Sequence, residues 1–266
     1  MTLEPLQYGL GVLSGIFIGF SLGMIGGGGS VLAVPLLVYV VGVKNPHIAI
    51  GTSAFVVAVN AAISLFNHAN AGTVKWQYGG MYALAGFIGA IAGSTVGKTF
   101  NGQKLLFLFA IVMVLIGILM LRGRKNLGEP GVECTREKAP KVLGYGFITG
   151  IFSGFFGIGG GFLIVPGLVE STGMPILNAI GTSLVAVTAF GLTTAVNYAI
   201  SELVDWPLAA VLISGGIIGG LLGIRAAKHL ARKTGHLPAI FAAVVFVVAA
   251  YMIYRTVPSF LPGYLL

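Results

Sequence analysis

The chain contains eight stretches without a single Asp, Glu, Lys or Arg, and this pattern restricts its fold more than any other feature. The stretches are residues 5–43, 45–74, 76–97, 105–121, 142–169, 171–201, 206–224 and 234–254. A helix needs roughly 17–25 apolar residues to span a bilayer, so each stretch is near or above the length of one crossing. A β-barrel would need alternating stretches of about 10 residues, which are absent. The sequence therefore predicts an all-α polytopic membrane protein.

The composition excludes the main alternatives. Only 8% of the 266 residues are charged, and 56% are hydrophobic, whereas a soluble domain has roughly 25% charged residues. A water-soluble enzyme is therefore not expected. The net charge of +8 would suggest nucleic acid for a soluble protein. Here it is typical of basic loops that orient the chain and meet anionic lipid, so we expect a lipid bilayer and no nucleic acid as partner.

The two halves of the sequence resemble each other at an offset of 131 and then 130 residues. The aligned pairs include Gly15 with Gly146, Gly19 with Gly150, Gly28 with Gly159, Pro35 with Pro166, Thr52 with Thr182, and Trp76 with Trp206. The tryptophan pair is informative because the chain has only two. Such self-similarity indicates an internal duplication. We predict an N-terminal membrane repeat at 1–122, a charged linker at 123–141 and a C-terminal membrane repeat at 142–266, with four apolar segments in each repeat.

The relative orientation of the repeats follows from the basic residues. Four simple crossings per repeat would make the repeats parallel and would place the basic loop 122–141 opposite the basic stretch 225–233. Lysine and arginine prefer the cytoplasmic side, so both stretches should lie on one face. That requires an even number of crossings between them. We therefore favour an inverted repeat, in which broken or re-entrant helices make the number of full crossings between the two basic stretches even.

Glycine clusters mark where helices should break. The apolar run from Gln7 to Tyr39 would be about 50 Å long as one helix, against a hydrocarbon core of about 30 Å. Each glycine costs a helix about 1 kcal/mol relative to alanine, so the four glycines at 26–29 should unwind it. The second repeat has a similar cluster at 157–161. Matching Gly-Thr-Ser motifs at 51–53 and 181–183 are a second pair of candidate breaks.

Matching breaks in two repeats are the best sequence indication of a binding site in a transporter. A helix that restarts after glycines presents free N–H groups and a partial positive charge. Two such starts facing each other would bind a small oxyanion without a charged side chain, with hydroxyls and amides as further donors. The predicted substrate-binding residues are Gly27, Gly28, Gly29, Ser30, Thr52, Ser53, Asn60, Asn67, Gly159, Gly160, Gly161, Thr182, Ser183 and Asn197.

Other glycines have a simpler interpretation. Those spaced by four from Gly15 to Gly23 and from Gly89 to Gly97 have the spacing that lets two membrane helices approach closely. We expect these glycines to serve helix packing. The glycine clusters at 26–29 and 157–161 differ from these packing glycines, because the length of the apolar run itself demands a break there.

No residue pattern indicates a metal, a cofactor or catalysis. The four histidines lie in or near the expected loops without the spacing of metal ligands. No dinucleotide or phosphate-loop fingerprint follows a strand. The apolar segments hold no convincing acid–base group, so we expect neither a catalytic residue nor an enzyme. The only cysteine, Cys134, lies in the linker.

The motifs together resemble a known family. The segments GMIGGGGSVLAVP and GFFGIGGGFLIVP, each followed by IGTS, are similar to those of the sulfite exporter TauE/SafE family. The resemblance covers essentially the whole chain. It implies an inner-membrane, multi-pass transporter that exports a small sulfur-containing anion of the sulfite, sulfonate or sulfoacetate class. The first cluster has Gly27 where the second has Ile158, and Ser30 where the second has Gly161, so the two breaks are chemically unequal.

Two alternatives stay open at this stage. The protein could be a passive channel for small anions, which sequence does not separate from a carrier. It could also be a membrane assembly protein that transports nothing. The substrate, the coupling ion and a homo-oligomeric state are equally open.

Overall fold

The computed structural model describes residues 4–122, 138–230 and 237–256, and every regular element in this part of the chain is a helix, with no strand. A 3₁₀ segment, Gly26–Leu32, and a π-helical segment, Leu36–Val41, flank the short second helix. The helices are α1 Pro5–Ile25, α2 Ala33–Pro35, α3 Pro46–Asn70, α4 Trp76–Thr99, α5 Gly102–Arg122, α6 Ala139–Phe156, α7 Gly161–Thr172, α8 Ile176–Ala199, α9 Trp206–Leu230 and α10 Leu237–Thr256.

The outer surface suits a membrane. Five stretches within the described residues are long and apolar enough to cross a bilayer, and many large apolar side chains on them are exposed. Trp76 and Trp206 open α4 and α9 and are both more than half exposed, as expected of residues at a membrane interface. The five stretches are Pro5–Met24, Pro46–Asn70, Trp76–Thr99, Ile176–Ala199 and Trp206–Gly223. The prediction of an all-helical polytopic membrane protein is confirmed.

The first and fifth apolar segments each form a helical hairpin, so eight apolar segments become ten helices. In the first hairpin, α1 forms one arm and residues 26–41 form the other. The two arms meet at their open end, where the Gln7 side chain donates a hydrogen bond to the Val41 carbonyl at 3.1 Å. In the second hairpin the chain runs up α6 and returns through α7, where Lys138 Nζ donates to the Thr172 carbonyl at 2.7 Å. The glycine clusters therefore lie at the two hairpin tips.

Helices α3 and α8 lie side by side in the centre and run in opposite directions. The start of α3 lies against the end of α8, because Gly51 contacts the Leu203 carbonyl. The end of α3 lies against the start of α8, where Gly181 contacts Thr73. We call the side of the protein where α3 begins the Pro46 face and the side where it ends the Asn70 face.

Two further helix pairs connect the halves of the chain. Helix α1 packs along α9 and helix α4 along α6, and both pairs run in the same direction. The prediction that the spaced glycines serve packing is confirmed for Gly15, Gly19, Gly89, Gly93 and Gly97, because each lies directly on a backbone carbonyl of the partner helix. The same kind of contact recurs along both helix pairs. The contacts are Gly15 with Leu212, Gly19 with Gly216, Gly223 with Phe20, Gly146 with Tyr82, Gly150 with Gly86, and Gly93 with Ile151.

The predicted breaks at the Gly-Thr-Ser motifs are wrong. Residues 51–53 lie within α3 and residues 181–183 within α8, and both helices continue through them. The glycines are present for a different reason, since each is the point where a loop backbone approaches its helix. A Cβ atom at Gly51 would collide with the Leu203 carbonyl, and one at Gly181 would lie 2.7 Å from Thr73 Oγ1.

Candidate functional site

The second glycine cluster interrupts the helix as predicted. Helix α6 ends at Phe156, residues 157–160 are non-helical, and α7 restarts at Gly161. Three glycines in this turn have positive φ angles of 64–67°, a conformation that costs other L-residues roughly 1–2 kcal/mol. The first internal bonds of α7 run from the amides of Leu163 and Ile164 to the Gly160 carbonyl. The amides of residues 161 and 162 precede these bonds and form the positive end of the α7 dipole.

This tip lies deep in the protein. A Cβ atom at Gly159 would lie 2.8 Å from Val57 Cγ1 and 3.1 Å from Val187 Cγ1. Val57 is near the middle of α3 and Val187 near the middle of α8. The tip therefore lies level with the middle of two helices that are long and apolar enough to cross a bilayer.

A serine that sequence reasoning missed lies beside the same tip. Ser153, on the last turn of α6, is fully buried, and its Oγ has no hydrogen-bond partner. A Cβ atom on Gly160 would lie 3.0 Å from this Oγ. A buried hydroxyl without a partner costs roughly 1–3 kcal/mol, so it needs an explanation. The offset of 131 pairs Ser153 with Leu22, and this polar-for-apolar difference is the signal that could have identified it.

The first glycine cluster is less open than predicted. Residues 26–32 form a 3₁₀ helix, so the chain there is wound more tightly rather than unwound. This segment packs against α7 and α8, which brings the first tip to the second. Gly29 contacts Ser21 and Leu22 of α1, and both Gly29 and Ser30 are buried. Gly27 and Gly28 lie on the same 3₁₀ turn.

The predicted threonine hydroxyls already have structural partners. Thr52 Oγ1 accepts a hydrogen bond from the Asp205 amide, and Thr182 Oγ1 accepts one from the Lys75 amide, both at 2.9 Å. Each threonine therefore fixes the loop that precedes a helix of the other half of the chain.

The predicted serines differ from each other. Ser53 Oγ lies 2.9 Å from the Ile50 carbonyl and 3.2 Å from the Gly157 carbonyl, so it holds the second tip against α3. Ser183 Oγ bonds only to the Ile180 carbonyl of its own helix, at 2.7 Å. Of the four predicted hydroxyl residues in these motifs, Ser53 is the one with a bond to the tip.

The three predicted asparagines lie in two different places. Asn60 and Asn67 line a small cavity between α1, α3 and α9, and they lie further along α3 than Val57, which contacts the tip. Asn197 lies near the Pro46 face, where its Oδ1 accepts a hydrogen bond from Lys98 Nζ at 2.8 Å. Lys98 also donates to the Asn197 carbonyl and to Ser201 Oγ, both at 2.9 Å, so all its donors are used in a link between α4 and α8.

Comparison with known proteins agrees with this architecture. The family model described as "Sulfite exporter TauE/SafE" matches residues 11–252. A probable membrane transporter protein of Xylella fastidiosa (strain Temecula1) is 49% identical over 257 residues, which cover 96% of this chain and 98% of the relative. The probable membrane transporter protein YunE of Bacillus subtilis (strain 168) is 28% identical and covers 93% and 98%. A probable membrane transporter protein of Haemophilus influenzae is 28% identical and covers 84% and 86%.

No solved structure matches the chain at a significant level. The family match spans both hairpins and the central helix pair, and the relatives match over nearly their full lengths. The protein is therefore a multi-pass membrane transporter that belongs to the sulfite exporter TauE/SafE family.

Proposed function

We propose that this protein exports a small sulfur-containing anion, of the sulfite, sulfonate or sulfoacetate class, across the bacterial or archaeal inner membrane. The observation that carries the proposal is the second hairpin tip, where a helix N-terminus and an unpartnered serine hydroxyl meet near mid-membrane depth. The family description supports a sulfur-containing substrate.

The tip offers an anion three favourable features. The amides at the start of α7 and the helix dipole attract negative charge. The glycines let the anion approach the backbone closely. Ser153 Oγ, which has no protein partner, supplies a further donor.

We further propose that the two halves form an inverted repeat. Equivalent helices α3 and α8 run in opposite directions, which is expected when the symmetry axis lies in the membrane plane. The same two-fold rotation carries the helix pair α1–α9 onto the pair α6–α4. It also carries the Thr52 bond to a loop amide onto the Thr182 bond. This arrangement also brings Lys138 and Arg225, which belong to the described parts of the two basic stretches, to one face.

The basic residues then orient the protein. Helix α5 starts beside Pro46 and therefore ends at the Asn70 face. Helix α6 starts at the Asn70 face, where Lys138 donates a hydrogen bond to the end of α7. The late part of α9, with Arg225, lies at the same face because α9 starts beside Thr52. Since Lys and Arg are enriched in the cytoplasm, the Asn70 face is cytoplasmic.

An anion leaves the cell with the help of the membrane potential. With the inside negative, each charge that moves outward gains about 2.3 kcal/mol per 100 mV. The acidic residues of the described chain lie at helix ends and loops rather than deep in the spans. A uniporter is therefore the simplest mechanism.

Sulfite flux from proteoliposomes tests the proposed function. Purified protein should move sulfite down its gradient, faster when the compartment holding sulfite is made negative, and the rate should saturate with concentration. The Gly159→Val variant should lose this flux, because a branched side chain would occupy the tip at a positive φ. The matched control is Gly144→Val, since Gly144 is exposed and has open space around it.

Three results would contradict the proposal. Absence of flux for sulfite, sulfoacetate and taurine would exclude the substrate class. A rate that stays linear at high concentration would favour a channel over a carrier. Full activity of the folded Gly159→Val variant would move the binding site away from the tip.

A further inference from the structure

A polar stripe runs along one side of α3 from its middle towards the Asn70 face. Asn60, Ser64 and Asn67 are spaced by four and three residues, so they lie on one face of the helix. They line a cavity whose other walls are Gly19 of α1 and Gly216 of α9, together with Ile63, Ile217, Gly220 and Leu221. The cavity volume of about 10 Å³ is close to that of a single water-sized sphere.

Asn60 marks the deep end of this stripe. Its side chain is 3% exposed, and neither Nδ2 nor Oδ1 has a hydrogen-bond partner. The amide packs directly over Gly216, where a Cβ atom would lie 2.6 Å from Asn60 Cγ. Burying an amide without partners is costly, so it needs an explanation, and a polar solute that passes through the cavity supplies one.

The equivalent place in the other half of the chain is filled. The offset of 130 pairs Asn60 with Phe190, Ser64 with Thr194 and Gly216 with Gly86. The fully buried Phe190 ring packs directly over Gly86, in the position that the Asn60 amide takes over Gly216. The chain thus places a small polar group on one side of the centre and a phenyl ring on the other.

We propose that the stripe Asn60–Ser64–Asn67 is the inner wall of a one-sided path, along which a small anion passes between the cytoplasm and the hairpin tips. Asn60 lies one helical turn from Val57, which contacts the second tip. Phe190 closes the equivalent route to the Pro46 face in this conformation. The cytoplasmic assignment rests on the orientation given under the proposed function.

Accessibility to iodoacetate, a small anionic alkylating agent, tests the path without knowledge of the substrate. Its carbon forms a bond to the cysteine sulfur as the carbon–iodine bond breaks, iodide leaves, and the thiol proton passes to water. The chain has one cysteine, so the background is Cys134→Ser. Ser64→Cys and Thr194→Cys then place matched thiols on the two sides, and intact mass reports modification in oriented vesicles.

The Ser64→Cys thiol should react from the cytoplasmic side about tenfold faster than the Thr194→Cys thiol from either side, a ratio that corresponds to about 1.4 kcal/mol. Adding Asn60→Phe should slow the Ser64→Cys reaction to the Thr194→Cys rate. If that variant does not fold, adding Phe190→Asn should accelerate the Thr194→Cys reaction from the Pro46 face.

Equal rates for the two thiols, or a Ser64→Cys rate that a folded Asn60→Phe variant leaves unchanged, would overturn the path. Faster reaction of Ser64→Cys from the periplasmic side would overturn its cytoplasmic direction. These labelling outcomes do not depend on which anion is transported. A negative sulfite assay would therefore reject the proposed substrate while leaving the path itself supported or refuted by its own measurement.

Discussion

Ser153 and Gly159 have different tasks at the second hairpin tip. Gly159 adopts a φ of 64° and allows the backbone to turn between two valines of the central helices. Ser153 contributes a buried hydroxyl that no protein group satisfies. The glycine therefore shapes the site, whereas the serine is available to a ligand. Substitutions at the two positions should separate folding from binding.

Ser153→Ala should weaken transport without harming the fold. The substitution removes no protein hydrogen bond, so thermal stability in detergent should stay the same or rise slightly. A hydrogen bond to a charged ligand contributes about 1.5–3 kcal/mol, so the half-saturating sulfite concentration should rise about tenfold or more. Concentration-dependent flux and thermal unfolding measure the two effects.

Ser14→Ala is the matched control for this prediction. Ser14 Oγ is also buried and unpartnered, but it lies in the first half of α1, away from both tips. Its removal should leave the half-saturating concentration unchanged. Equal effects of the two substitutions on flux would show that Ser153 is not part of the binding site.

Gly159→Ala should lower both stability and flux. An alanine at this positive φ costs roughly 1–2 kcal/mol, and its Cβ would lie 2.8 Å from Val57 Cγ1. Chemical unfolding should show a loss of about this size. Gly144→Ala, in an exposed helical position with open space, should instead be neutral or stabilising by up to about 1 kcal/mol. A Gly159→Ala variant as stable as the Gly144→Ala variant would contradict the positive-φ turn.

Individual site residues were partly predictable from sequence. The second glycine cluster could be identified because an overlong apolar run demands a break. Ser153 was missed, since a serine in an apolar helix does not by itself show whether its hydroxyl has a partner, and only its pairing with Leu22 in the other half of the chain distinguishes it. Thr52 and Thr182 were predicted as ligand donors, and nothing in the sequence shows that loop amides 153 and 107 residues away use their hydroxyls.

At the scale of elements, each central helix is joined by one threonine to a loop of the other half of the chain. Thr52 of α3 binds the loop before α9, and Thr182 of α8 binds the loop before α4. Both threonines are fully buried. Because the two bonds have the same length and environment, they should contribute similarly to stability.

Thr52→Val and Thr182→Val should each destabilise the protein by about 1–3 kcal/mol, because each leaves a backbone amide without its acceptor. Equilibrium unfolding in detergent measures the loss. The control is Thr188→Val, since Thr188 Oγ1 donates only to the Leu184 carbonyl of its own helix. A markedly larger loss in one of the two buried threonines would contradict their equivalence.

Element boundaries were predictable where glycine and length acted together. The hairpin of α6 and α7 follows from the cluster at 157–161. The 3₁₀ segment at 26–32 does not, because four glycines are compatible with several backbone paths and the packing against α7 and α8 decides between them. The Gly-Thr-Ser motifs were misread, since a lone glycine permits close approach as readily as a break.

At the scale of the whole molecule, the direction of each helix shows at which face each described helix begins and ends. Helix α1 starts at the Pro46 face, and α5 ends at the Asn70 face. Helix α9 ends at the Asn70 face, so α10, which follows it and packs against α5, returns to the Pro46 face. The proposed orientation makes the Asn70 face cytoplasmic.

A reporter fused after Thr256 should therefore lie outside the cytoplasm, and one fused after Arg122 should lie inside. Alkaline phosphatase, whose disulfides form only in an oxidising compartment, should be active at the first position and inactive at the second. Reversed activities would show that the protein has the opposite orientation in the membrane, with the polar stripe of α3 on the periplasmic side. Equal activities would contradict the odd number of crossings between the two positions.

The contacts of glycine with backbone carbonyls between α1 and α9, and between α4 and α6, have a consequence for the origin of the protein. Each joins a helix from one half to a helix from the other, with no side chain between them. Under the proposed inverted repeat, an ancestral single copy would have exposed these bare backbones unless it paired with a sister copy inserted upside down. The proposal therefore implies that dual insertion came before gene fusion.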